Sequence, residues 1–217
     1  MKITNFAEQP SMLSRYMMEM RDVNVQRDPM RFRRNLERAG EIMAYEISKD
    51  LKFKKVEIDT PLEKCVCDDF DEQVVLGTIF RAGLPFHQGF LQYFDNAENA
   101  FVSAYRKYKE KENFDVLIEY LASPCLDGKT LILCDPMLAT GASMELSFRA
   151  LLTKGMPAHI HVASVIASQA AVDYIVKTFP ADRTSIWVGA IDPVINAHSY
   201  IVPGLGDAGD LAYGVKE

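Results

Sequence analysis

Residues 131–143 read Leu131-Ile132-Leu133-Cys134-Asp135-Pro136-Met137-Leu138-Ala139-Thr140-Gly141-Ala142-Ser143. An apolar run ends on a carboxylate, passes through a turn of small and hydroxyl-bearing residues, and opens into a helical pattern, which is the order of a buried strand, a loop and a helix. Thr140, Gly141, Ala142 and Ser143 stand where that helix begins, and the free N–H groups and dipole of a helix start suit a phosphate. Asp135 at the strand end is placed to accept hydrogen bonds from sugar hydroxyls. An ordinary strand-loop-helix connection, with Asp135 as a turn residue and Ser143 as the cap, accounts for the same residues, and the pattern alone does not separate the two readings.

Outward from this stretch the chain repeats the same grammar. The runs 74–80 (VVLGTIF), 100–104 (AFVSA), 130–134 (TLILC), 160–166 (IHVASVI) and 186–191 (IWVGAI) show little polar alternation, as expected of parallel strands covered on both faces. Helices are expected at 143–154, closed by Gly155, and at 168–178, closed by Pro180. A further helix begins at Asp28-Pro29 and carries Phe32, Leu36, Ala39, Met43 and Ile47 on one face. Strands alternating with helices predict an α/β fold, a mostly parallel sheet flanked by helices. No linker divides the 217 residues, so 1–217 reads as a single domain with an N-terminal helical segment. Ligands of such sheets lie beyond the carboxyl ends of the strands, which directs attention to the loops IFRAG, AYRKY and DPMLATGAS.

Composition closes several alternatives. Hydrophobic residues at 48% and charged residues at 25% support a real core and exclude a disordered or fibrous chain. A net charge of −6 gives no general field for a polyanion, so bulk nucleic-acid binding is disfavoured. No apolar run is long enough to span a membrane and the start, MKITNFAEQP, lacks a signal-peptide core; no membrane partner and a cytoplasmic location are expected. Cys65, Cys67, Cys125 and Cys134 have neither disulfide nor zinc spacing and read as free thiols.

Gly204-Leu205-Gly206-Asp207-Ala208-Gly209 satisfies the dinucleotide pattern G-x-G-x-x-G, but eight residues remain after it and the motif needs a following acidic residue about 20 positions on. Gly128-Lys129-Thr130 imitates the end of a P-loop yet precedes a strand instead of following one. His159 and His161 alternate onto one strand face and read as a surface pair, His87 reads as the start of a helix, and His198 has no acid-base assignment. Met12, Met17, Met18 and Met20 read as packing or subunit-contact residues, and the lysines 107, 109 and 111 as part of a loop.

Four segments resemble, in order, the uracil phosphoribosyltransferase family of type I phosphoribosyltransferases: Arg81-Ala82-Gly83-Leu84, Tyr105-Arg106, Asp135-Pro136-Met137-Leu138-Ala139-Thr140-Gly141, and Tyr200 to Asp210 (YIVPGLGDAGD). The resemblance implies transfer of a phosphoribosyl group from phosphoribosyl diphosphate (PRPP) to uracil, giving UMP and pyrophosphate. It implies that Asp135, Pro136, Met137, Leu138, Ala139, Thr140, Gly141, Ala142 and Ser143 hold ribose and 5'-phosphate, and that Arg81 and Arg106 meet the pyrophosphate, for which guanidinium forks are suited. Ile201, Gly206, Asp207 and Ala208 would contact uracil in a C-terminal base-recognition hood. Asp135, Arg106 and Asp207 are the expected catalytic set. Mg2+ is expected, held chiefly by diphosphate and water, with Asp207 as the protein carboxylate. A homo-oligomer, dimer or larger, is expected, and GTP is a candidate effector.

The chain departs from the family pattern at Ala142, where glycine is usual, at Pro85 after RAGL, at Leu211, where a basic residue is common, and at Ser168-Gln169-Ala170. Ala142 would lower phosphate affinity if that position needed positive φ. The alternatives are a phosphoribosyltransferase for another base and a PRPP- or nucleotide-sensing regulator that binds RNA. The acidic balance argues against the latter.

Overall fold

The five apolar runs are strands of one sheet. A computed structural model describes residues 1–108 and 114–216, with backbone alone for 104–108 and 114–117. In chain order its elements are β1 (Lys2–Asn5), α1 (Met12–Arg21), α2 (Pro29–Ser48), β2 (Phe53–Asp59), β3 (Lys64–Phe70), β4 (Val74–Phe80), α3 (Gly83–Leu91), β5 (Glu98–Tyr108) and β6 (Phe114–Ala122). There follow β7 (Thr130–Cys134), β8 (Met137–Leu138), α4 (Ala142–Leu151), β9 (His159–Ser168), α5 (Gln169–Thr178), β10 (Thr184–Asp192), β11 (Val194–Ile195), β12 (Ile201–Val202) and α6 (Ala208–Tyr213).

The main sheet runs β1-β10-β9-β7-β4-β5-β6. Every pair along that path is parallel except β5 with β6. Along β4 and β7 successive side chains enter opposite cores. Leu76, Ile132 and Cys134 join α1, α2, α3 and α6 on one side, while Val75, Leu131 and Leu133 join α4 and α5 on the other. Each fully buried aliphatic chain contributes ~1.5 to 3 kcal/mol, and burial on both faces explains the absence of polar alternation.

The helices start as their sequences dictate. Asp28 Oδ1 accepts from Met30 N at 3.0 Å and Arg31 N at 3.2 Å, with Pro29 in the first turn. Ser11 and Ser14 form a reciprocal capping box at α1. In α3, Gly89 permits close crossing with α2, since a Cβ there would lie 2.0 Å from Glu37 O. Pro85 falls in the first turn of α3, where a helix has no use for its N–H.

Several expectations change. AYRKY is no loop: β5 continues to Tyr108 and pairs antiparallel with β6, Arg106 opposite Val116. Pairing with β6 carries the strand beyond the apolar run 100–104. Lys109 and Lys111 lie outside the described residues. His161 is not on the surface but 1% exposed. Trp187 Nε1 donates to its Nδ1 at 3.0 Å, and burial, with His159 beside it, lowers its pKa to about 3. His87 lies inside α3, buried, with Nε2 2.8 Å from Asn99 Oδ1.

Candidate active site at the carboxyl edge of the sheet

From β4 the chain moves to β5 and β6 on one side; from β7 it moves to β9 and β10 on the other. The crevice between β4 and β7 is therefore the topological switch point, where such sheets bind ligands. Thr78 pairs with Cys134 across it, which sets the Arg81 turn beside the Asp135 turn.

Asp135 follows β7 directly; its N–H donates to Ala163 O at 3.1 Å, and its Oδ1 accepts from Met137 N at 3.4 Å. The chain then makes the short strand β8 against Ile166 and Ala167 of β9, leaving Pro136 and Leu138 buried and Met137, Ala139 and Thr140 half-buried. Gly141 has φ +82°, the left-handed region, and caps α4 without a side chain. Thr140 Oγ1 accepts from Ala142 N at 3.3 Å. Ser143 is thus the second residue of α4, not its cap, and Ala142 is an ordinary first helical residue. The positive φ that would have made Ala142 costly belongs to Gly141. Ser168 buttresses the turn from α5: its hydroxyl donates to Ala139 O at 2.6 Å and accepts from Ala171 N at 2.9 Å.

Arg81, after β4, reaches the closing segment. Its Nη2 donates to Asp210 Oδ1 at 2.7 Å and its Nη1 to Gly214 O at 3.1 Å. A Cβ on Gly209 would stand 3.2 Å from both Arg81 Nη2 and Asp207 Oδ1, so these two groups flank one point. Asp207 caps α6, accepting from Asp210 N at 3.0 Å, and its other oxygen lies 3.8 Å from Lys216 Nζ. Ile201, Leu205 and Ala208 are buried in one apolar cluster that Ala82, Met137, Ala139 and Leu211 also contact. Gly206 is exposed with φ +93°. Of the expected site residues, the structure therefore brings Arg81 to the 207–210 segment, and places Met137, Ala139, Ile201 and Ala208 in or against one apolar cluster. The side chain of Arg106 lies outside the described residues; its backbone is in β5.

Residues the sequence reading passed over hold this arrangement. Arg21, Gln26 and Arg33 of the N-terminal segment all bond the closing segment. Asp192, at the end of β10, binds both Arg21 and Gly204 N. None of these four carries a local sequence signal; Ser168, which the sequence places at the start of a helix, does. No group of three or more His, Cys, Asp or Glu suited to a metal occurs among the described residues, and no described helix is long and apolar enough to cross a membrane.

A helix-start turn after β7 and an arginine after β4, at the switch point of a mostly parallel sheet, have the arrangement that the sequence resemblance implies for a phosphoribosyltransferase. The model of the family described as uracil phosphoribosyltransferase matches residues 7–215. Over 216 residues, all of both chains, the protein is 62% identical to a uracil phosphoribosyltransferase of Porphyromonas gingivalis. It is 38% identical over 189 residues to that of Methanothermobacter thermautotrophicus, covering 86% of this chain and 85% of the other. The solved structure of the AQ2163 protein from Aquifex aeolicus superposes with a TM-score of 0.85 at 30% identity over 98% of each chain. The chain belongs to the uracil phosphoribosyltransferase family.

Proposed function

We propose that this chain transfers the phosphoribosyl group of PRPP to a ring nitrogen of uracil, releasing pyrophosphate and forming UMP, a step of pyrimidine salvage. The observation that carries this reading is the contact of Arg81 with Asp210, which joins the diphosphate side of the site to the segment assigned to the base. As the bond from the anomeric carbon to the diphosphate oxygen breaks, its electrons leave with pyrophosphate while the ring nitrogen forms the new bond and gives up its proton to the departing pyrophosphate. The sugar passes through an oxocarbenium-like state, so the protein's work is positioning and electrostatics. The Ala139–Ser143 turn takes the 5'-phosphate on its N–H groups, Asp135 takes ribose hydroxyls, and Arg81 and Arg106 take the departing charge. Backbone groups of Ile201 and Gly206–Ala208 read the carbonyl and imide pattern of uracil.

Mg2+ neutralises diphosphate charge when bound. The donor set fits an ion held mainly by substrate and water, because Asp207, the carboxylate expected to contact it, already gives one oxygen to the cap of α6 and has the other 3.8 Å from Lys216 Nζ. We also assign a second copy of the chain to the β2–β3 hairpin. Phe53, Ile58, Leu62 and Val66 are exposed on it, and a two-stranded hairpin without a covering layer is marginally stable.

Product analysis with PRPP, Mg2+ and a panel of free bases, with and without GTP, tests the reading. UMP from uracil is the expected product. Cytosine, which reverses one donor and one acceptor, should be poorer by roughly 10⁴; comparable kcat/KM for cytosine refutes backbone reading of the base. Sedimentation of the intact chain tests the second copy, and a monomer at micromolar concentration overturns it.

A further inference from the structure

The closing segment is held from outside the sheet. Arg21, in the last turn of α1, places Nη1 and Nη2 each 2.8 Å from an oxygen of Asp192. The same Nη1 donates to Gly204 O at 3.1 Å, and Gly204 N donates to Asp192 Oδ2 at 2.8 Å. One ion pair thus takes up both main-chain polar groups of Gly204. That residue has φ +64°, and a Cβ on it would lie 2.0 Å from Ile201 O, so the chain turns sharply here and any loosening swings the residues that follow. Asp192 is 5% exposed. Burial pushes its carboxyl up, but Arg21 and the Gly204 N–H outweigh burial and hold its pKa below the usual aspartate value. Asp192 also pairs in register with Ser168 on β9, and Ser168 holds Ala139 of the phosphate turn. Neighbouring strand ends therefore carry the two halves of the site.

We propose that Arg21 and Asp192 are positioning residues for base recognition: their ion pair fixes Gly204 and with it the Leu205–Ala208 turn that meets the base. The proposal rests on the assignment of that turn to uracil. A guanidinium is required because its fork serves a carboxylate and a carbonyl at once, which an ammonium cannot do in the same geometry.

The test uses Arg21→Lys and Asp192→Asn in the full chain, with circular dichroism to confirm the fold. The uracil KM is expected to rise about tenfold or more, the size of one lost charge-assisted hydrogen bond. The PRPP dissociation constant, measured without base, stays within about twofold, and kcat at saturating uracil falls much less than kcat/KM. Hydrogen exchange at the Gly204 amide should accelerate about tenfold, while α4 and β7 keep their protection. Arg21→Met, which leaves a carboxylate buried without its cation, should be worse than Arg21→Lys. An unchanged uracil KM in folded variants, or equal weakening of PRPP and uracil, overturns the positioning role. A wild-type protein that makes no UMP refutes the base assignment instead, and the Gly204 exchange rate then still decides whether the ion pair fixes the turn: an unchanged rate overturns it.

Discussion

Gly141→Ala is a substitution that the turn proposed to hold the 5'-phosphate should tolerate poorly. Gly141 has φ +82°, where an L-residue costs roughly 1 to 2 kcal/mol. The new methyl would lie 2.8 Å from Tyr174 Cδ1 and 3.4 Å from Ala171 O. Tyr174 cannot simply swing aside, because its hydroxyl is bonded to Glu145, which Arg149 also holds; giving up that bond costs about 0.5 to 1.5 kcal/mol. Together these amount to roughly 1.5 to 3.5 kcal/mol. If the turn keeps its shape, the melting temperature falls by about 3 to 14 °C for a chain of this size. If the turn reopens to relieve the strain, PRPP affinity falls by about 10- to 300-fold. Scanning calorimetry and titration calorimetry with PRPP, in the absence of base, measure the two outlets on one preparation. Ala142→Gly is the control: it relieves no strain at an ordinary helical residue, costs about 0.5 to 1 kcal/mol of stability, and leaves PRPP affinity unchanged. A Gly141→Ala protein that retains both its melting temperature and its PRPP affinity would refute the reasoning, as would a loss of affinity in Ala142→Gly.

Asp135→Asn should lower kcat/KM by roughly 10² to 10³ with the fold intact, the usual loss for one preorganised electrostatic contact at a reacting centre; steady-state kinetics beside a urea titration checks it. Arg81→Gln should weaken PRPP binding by about tenfold or more and, by leaving Asp210 without its cation, loosen α6, which hydrogen exchange at residues 208–213 would report. Stability should fall as pH drops below ~6.5, because the unfolded chain protonates His161 there while the folded protein, with that pKa lowered to about 3, does not. The contribution is fully present above that pH and declines toward pH 3 by up to ~1.4 kcal/mol per unit. His161→Gln, which keeps an acceptor for Trp187, should flatten the decline in urea midpoints between pH 7 and 5; identical slopes would show that other groups cause it.

How much of this is legible in the sequence depends on what each segment packs against. VVLGTIF and TLILC match β4 and β7 residue for residue, because burial on both faces leaves an uninterrupted apolar run. The hairpin β2–β3 has no such signature: its residues are mostly exposed on both faces, so KKVEID and KCVCDDF carry no burial pattern. The helix GLPFHQGFL is masked by two glycines and a proline that look like breakers, although Gly89 is what admits α2 to contact. In the candidate site, the 135–143 turn and the closing segment are readable because each is local. The Arg21–Asp192 pair is not, since it spans 171 positions and neither residue lies in a distinctive run. Whether Ala142 needs positive φ is likewise not legible: the left-handed residue is Gly141, one position earlier, a difference only backbone angles reveal.

The two halves of the site differ in what they stand on. The turn proposed for the sugar phosphate is built from β7, β8 and the start of α5, whereas the turn proposed for the base hangs on side chains of the N-terminal helical segment. Such a division makes substrate choice separable from substrate grip. If the proposed assignments hold, exchanging residues 192–214 together with their partners in 21–33 alters which base is read while the 135–143 turn stays in place. A lineage could therefore drift from one base to another by paired changes at the two termini, without passing through an ancestor that had lost its hold on the sugar.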